Sequence, residues 1–324
     1  MRLNVSLIAI SLAAILLCTA SASAQVYPDK PVRVIVAYPP GGGADIVGRL
    51  MSQKLSERMG QQFVVINNPG ASGSIGATTA AHSAPDGYTL FFGQTAEMSI
   101  LPNVMSNLHY DPIKDFEPIA QVSAYPYVIA VNPKLPVHSL KEFIAYAKAH
   151  PGELNYGSPG IGSSAHLAVE LFARKVGIKL THVPFRGAGP AVLGAISGVV
   201  QVVFGDAAST TPQVVAGQLR ALAVTATKRS PKLPDIATVA ELGVPGYEVA
   251  AWHGFFAPTG TNSEIIKQLN QEINEVLREP TLRQRLAQDG IEAIGGTPQA
   301  FAAHLKEEFT TWGKVAQEAK IKIN

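Results

Sequence analysis

The chain has 324 residues, 47% of them hydrophobic and 15% charged, with 26 Lys and Arg against 24 Asp and Glu for a formal net charge of +2. That length suits one large or two medium domains with a substantial core, and no Lys/Arg run is dense enough for a nucleic-acid footprint. The single cysteine, Cys18, lies in an N-terminal leader, which excludes disulfides, cysteine-ligated zinc and a thiol nucleophile from the remainder.

In the leader, Arg2 precedes an apolar run from Val5 to Leu17 and then Ala22-Ser23-Ala24. This pattern predicts a cleaved secretory signal over residues 1–24, a mature start at Gln25, and export. The run is too short for a spanning helix, which needs ~20 apolar residues. Bulky Leu17 before Cys18 argues against lipid attachment.

From Val32 onward, short β-branched or aromatic runs alternate with helical patterns. Strands are predicted at Val32 to Val36, Phe63 to Ile66, Tyr88 to Phe92, Tyr127 to Val131, Lys179 to Val183, Val200 to Phe204 and Leu219 to Val224. Such alternation predicts parallel α/β sheets. Ile46, Val47, Leu50, Met51, Leu55 and Met59 fit one helix face. Ser139 with Glu142 reads as a capping box opening a helix through Ala149, and Thr297-Pro298 starts a helix with Phe301, Leu305, Phe309 and Trp312 on one face. The proline-rich passage Tyr110 to Pro126 reads as an exit to a second sheet, and Pro245 to Trp252 as the return. Two lobes with a double crossover follow: residues 25–124 with 250–324, and residues 125–249. Small-molecule sites favour such clefts and the carboxyl ends of parallel strands.

The first strand runs into Pro39-Pro40-Gly41-Gly42-Gly43 and a helix with Asp45 in its first turn. A helix N-terminus carries unpaired N–H groups and partial positive charge, and glycines admit a ligand to the backbone, so this loop predicts a small anionic ligand. A second strand, glycine turn and helix occupy Asn155 to His166, where Ser163 and Ser164 serve equally well as helix caps. Two such termini across a cleft suit a ligand with a carboxylate at each end, or a carboxylate and hydroxyls. Ser72, Ser74, Gln94, Thr95, Arg186 and Asp206 follow strand ends and are further candidates, with turn or cap roles as the alternative.

Enzyme signatures are poor. There is no Gly-x-Ser-x-Gly elbow and no Walker lysine. Gly160-x-Gly162-x-x-Ala165 loosely matches a dinucleotide fingerprint, yet no Asp or Glu occurs from Leu171 to Gly205 to hold a ribose. The eight histidines lack metal-ligand spacing, so His166, His182 and His253 read as packed residues. No catalytic residue, cofactor or metal is called for.

Several blocks in order resemble the tripartite tricarboxylate transporter receptor family, also called the Bordetella uptake gene (Bug) family of periplasmic solute-binding proteins. They include Tyr27-Pro28-Asp29-Lys30-Pro31, Pro39-Pro40-Gly41-Gly42 with Asp45 and Arg49, Pro69-Gly70-Ala71 with Ile75-Gly76, Pro85-Asp86-Gly87-Tyr88-Thr89-Leu90, and Tyr110-Asp111-Pro112. Tyr156-Gly157-Ser158, His182-Val183-Pro184-Phe185 and Leu219 to Thr225 continue the match. The resemblance covers the whole mature chain. It implies a two-lobed type II periplasmic-binding fold closing on a carboxylate, and the reading that follows is a periplasmic receptor without catalysis that serves the membrane subunits of a tripartite transporter; a monomer is the expected state.

The same resemblance carries the binding role onto Tyr38, Gly42, Gly43, Ala44 and Asp45 in one lobe and Ser158, Gly162, Ser163 and His166 in the other, with Asp206 as a specificity position. Two departures stand out. The family pattern Glu-Asn-Arg-Pro-Gly is Ile66-Asn67-Asn68-Pro69-Gly70 here, and its usual Asp is Gln201. The changes read as a dissolved surface or structural ion pair. Alternatives in other classes are a receptor for a signalling partner and an exported hydrolase or transferase.

Overall fold

The structure, a computed structural model, describes residues 27–318 and 321–322. The signal-peptide expectation and the mature start at Gln25 lie outside these residues. The first lobe opens with strand β1 (Val32–Val36), helix α1 (Gly43–Met59), β2 (Phe63–Asn67), α2 (Ser74–Ala81) and β3 (Thr89–Gln94). A π-helical turn at Ala96–Ile100 and the short α3 (Leu101–Val104) follow. Strand β4 (Phe116–Val131) then carries the chain across.

The second lobe contains α4 (Leu140–Ala149), β5 (Asn155–Ser158), α5 (Ser164–Val176), β6 (Thr181–Pro184), α6 (Ala188–Ser197), β7 (Val202–Asp206), α7 (Ala207–Val215) and β8 (Arg220–Val224). The chain returns through β9 (Ala250–Pro258) and ends with α8 (Ser263–Arg278), α9 (Pro280–Gln288), β10 (Glu292–Ala293) and α10 (Pro298–Glu318).

The strands run in the order β2-β1-β3-β9-β4-β7-β5-β6, with β8 and β10 also pairing β4. Phe116 to Pro126 of β4 pairs with β9, while Tyr127 to Val131 pairs with β7 and β8. One long strand therefore belongs to both lobes. The second crossover is tied to it by Thr225, which is fully buried. Its Oγ1 accepts the Tyr127 N–H (2.8 Å) and donates to the Val249 carbonyl (2.6 Å), linking outgoing and returning strands.

The expectation of parallel sheets needs correction: β1, β2 and β3 are parallel, as are β5, β6 and β7, but β4 and β9 run antiparallel to their neighbours. A strand that leaves one lobe and enters the next without a covering helix has that freedom. The predicted strand Tyr127 to Val131 is the second half of β4, whose first half passes through Pro118 beside a bulge and ends at Pro126, where pairing with β9 gives way to pairing with β7 and β8.

Local signals explain the elements that frame the cleft. In α1, Val47, Met51 and Leu55 are buried, and Gly48 lets the helix lie close to Val36 and Phe92. The Ser139 hydroxyl accepts the Glu142 N–H, opening α4. Phe301, Leu305 and Trp312 are the buried face of α10. Asn68 donates to Thr79 Oγ1, while Gln201 accepts the Asn155 N–H and donates to Gly198 O, so the two departures serve separate local structures.

Candidate functional site

Four helices begin at one cavity between the lobes. Its walls include Gly42, Gly43 and Ala44 from the start of α1, Ser163, Ser164 and Ala165 from the start of α5, Ala188 at the start of α6, and Asp206 just before α7. The empty space is about 530 Å³, including its mouth. The N-caps of α1 and α6, Gly42 and Gly187, offer no side-chain cap, so their first-turn N–H groups are free for a ligand. On α5 the Ser163 hydroxyl accepts the His166 N–H at 3.3 Å, leaving the earlier amides of that turn. Among the described residues, no Lys, Arg or His side chain lines the cavity. Positive potential there comes from backbone.

The remaining walls are aromatic and aliphatic, with Tyr38, Tyr125, Tyr127, Val203 and Phe204 among them. Hydroxyls of the tyrosines are anchored in the protein: Tyr38 donates to Ser72 O (2.9 Å), Tyr125 to Gln94 Oε1 (2.8 Å) and Tyr127 to Ser164 Oγ (2.5 Å). Burial pushes all three phenols up, so they stay neutral. Near Tyr38 and Tyr125, Glu97 is fully buried in the π-helical turn and its two oxygens meet no donor in good geometry, the Tyr38 hydroxyl turning to Ser72 instead. Burial pushes the Glu97 carboxyl well above the usual range and so favours its neutral form.

Of the sequence-derived candidates, Tyr38, Gly42, Gly43, Ala44, Gln94, Ser163 and Asp206 line this cavity. The others sit behind or beside it. Asp45 accepts from the Gly41 N–H (3.0 Å), Arg49 Nε (2.9 Å) and Asn67 Nδ2 (2.8 Å), so it shapes the glycine loop from outside. Burial opposes its ionisation, but these bonds outweigh it and hold the carboxyl below the usual range. Thr95 is fully buried and its Oγ1 accepts the Trp252 N–H.

Ser158, Gly162 and His166 form the support of the second loop. Gly162 N donates to His166 Nδ1 (3.1 Å), His166 stacks on His182 with ring centroids 4.0 Å apart, and His182 Nε2 lies 2.6 Å from Ser158 Oγ. Burial lowers both histidines to about 4, so they are neutral at pH 7. Ser72 and Arg186 line a wider neighbouring hollow of about 1390 Å³. There the Ser72 hydroxyl donates across the lobes to Ile161 O at 2.5 Å. Ala71 and Ser72 hold left-handed backbone (φ 45° and 54°), a strained turn that aims this hydroxyl.

Among the lining residues that sequence reasoning missed are Tyr125, Tyr127 and Ala188, beside apolar positions such as Ala191, Val203 and Phe204. The tyrosines sit two apart on β4 and so face one side, a signal hidden by the prolines around them; Ala188 follows Gly187, next to the Arg186 that was singled out. Among the described residues, no group of three His, Cys, Asp or Glu is placed to hold a metal ion, and no helix is long and apolar enough to cross a membrane.

This geometry agrees with the comparisons. Residues 47–321 match the family model described as the tripartite tricarboxylate transporter family receptor. Protein BugT of Bordetella pertussis (strain Tohama I) is 36% identical over 305 residues, covering 94% of each chain. Among solved structures, R. palustris Rpa4515 with adipate superposes with a TM-score of 0.89 at 37% identity, covering 91% of this chain and 99% of that one. MatC from Rhodopseudomonas palustris with bound malate gives 0.85 at 32% identity, covering 89% and 99%. The chain belongs to the tripartite tricarboxylate transporter receptor (Bug) family of periplasmic solute-binding receptors and has their two-lobed periplasmic-binding fold.

Proposed function

We propose that this protein is an exported receptor that captures a small carboxylate between its lobes and hands it to the membrane subunits of a tripartite transporter. The observation that carries this reading is the convergence of the uncapped starts of α1 and α6 with the start of α5 on a cavity without a cationic side chain. Backbone N–H groups at helix starts hold a carboxylate with little desolvation of charged side chains. The solved relatives named with adipate and with malate support a carboxylate as the ligand.

The proposed lobes are residues 25–124 with 250–324 and residues 125–249, hinged where β4 and the 225–249 return run side by side. Ligand binding favours the closed arrangement because both lobes then contact the same molecule. Asp45 belongs to this site as the group that fixes the Gly41 amide, and the Ser158, Gly162 and His166 cluster as the group that fixes the second loop. A thermal-shift screen of residues 25–324 against mono-, di- and tricarboxylates, amino acids and aromatic acids tests the reading, since a ligand of the folded state raises Tm. A rise with one class and no consumption of that compound is expected; consumption would indicate an enzyme instead.

A further inference from the structure

Among the described residues, Asp206 is the one carboxylate whose side chain lines the cavity. It is 7% exposed. Both of its oxygens accept from Ser209: Oδ1 takes the backbone N–H at 2.9 Å and Oδ2 the hydroxyl at 2.7 Å, as the N-cap of α7. Among the described residues, no Lys, Arg or His forms an ion pair with it. Burial raises its pKa, while the Ser209 bonds and the helix start favour the charged form. A buried carboxylate without a counter-charge is costly, and its open side faces the cavity. A second ligand carboxylate placed beside it would meet a like charge in a low-dielectric space.

We propose that Asp206 is the partner of a cationic group on the ligand, so that the preferred ligand is an amino-carboxylate, with its carboxylate on the helix starts and its ammonium on Asp206. This deepens, and rests on, the carboxylate-receptor reading. It sets this chain apart from the relatives named with adipate and malate.

The test is calorimetric titration of the wild type, Asp206→Asn and Asp206→Ser with matched probes: 4-aminobutyrate against butyrate and succinate, and glutamate against glutarate. Asn and Ser are both good N-caps, so the α7 cap survives while the charge is lost, and melting curves verify the fold. In the wild type, the amino-carboxylate of at least one set should bind at least ~10-fold tighter than its deaminated and dicarboxylate counterparts, a difference of ~1.4 kcal/mol. Both variants should lose at least that factor for the amino-carboxylate alone. Equal or tighter binding of the dicarboxylate by the wild type, or unchanged amino-carboxylate affinity in the variants, would overturn the proposal and leave the receptor reading in place. Binding of none of these probes, together with a flat carboxylate screen, would overturn both.

Discussion

Asp206 Oδ1 lies 2.7 Å from the point where a β-carbon on Gly43 would stand, so any side chain at residue 43 would have to displace the Asp206 carboxylate across the cavity. Gly43 is the first residue of α1 and its backbone is not in the left-handed region, so alanine is acceptable to the helix itself. Gly43→Ala should therefore act on closure rather than on folding. An overpacked contact costs about 1–3 kcal/mol, which predicts ligand affinity weaker by ~5- to ~150-fold with little change in Tm. Calorimetry beside a melting curve checks both halves of that expectation.

Thr225 holds the two crossovers together through one side chain. In Thr225→Val the shape is kept, but the Tyr127 N–H and the Val249 carbonyl lose their buried partner. Leaving such groups unsatisfied costs ~1–3 kcal/mol. The urea midpoint should fall accordingly, whereas a substitution at a solvent-facing residue such as Lys148 should leave it unchanged.

The Ser72 hydroxyl is a latch between lobes, and it is partly exposed to water. A single hydrogen bond of this kind contributes ~0.5–1.5 kcal/mol. Ser72→Ala should release ligand a few-fold faster in stopped-flow measurements, with an unchanged association rate. Equal dissociation rates in wild type and variant would remove the latch from the account.

The stacked pair His166 and His182 gives stability a pH dependence. In the folded protein both are held at about 4, against an ordinary 6.5 in the unfolded chain. Below pH 6.5 the unfolded chain takes up protons that the folded protein refuses until pH 4. Their contribution is thus fully present above pH 6.5 and is lost as pH falls from 6.5 to 4. His182→Phe keeps a ring against Tyr156 and His166 but removes one titrating group. Its denaturation midpoint should fall less steeply than that of the wild type across that window.

Much of the site was legible in the sequence because its chemistry is local. A strand, a glycine turn and a helix start leave a pattern within a dozen residues, and Gly42, Gly43, Ala44 and Ser163 were readable on that basis. Tyr125 and Tyr127 were not, because prolines at 118 and 126 disguise a strand that tolerates them at bulges and at the junction of the lobes. Nor could Asp45 and Thr95 be told from cavity residues: their partners, Asn67 and Trp252, are distant in sequence. Burial of Asp206 without a counter-cation is likewise a tertiary property, invisible in the residues that flank it.

The central claim is that backbone amides at helix starts, and not cationic side chains, hold the ligand carboxylate. A crystal structure with the tightest-binding carboxylate of the screen tests it most directly. The account predicts carboxylate oxygens within hydrogen-bonding distance of the Gly43 and Ala44 amides, and of the Ser164 or Ala165 amide, directly or through one water. A carboxylate seated instead on the guanidinium of Arg49 or Arg186, outside the cavity, would contradict it.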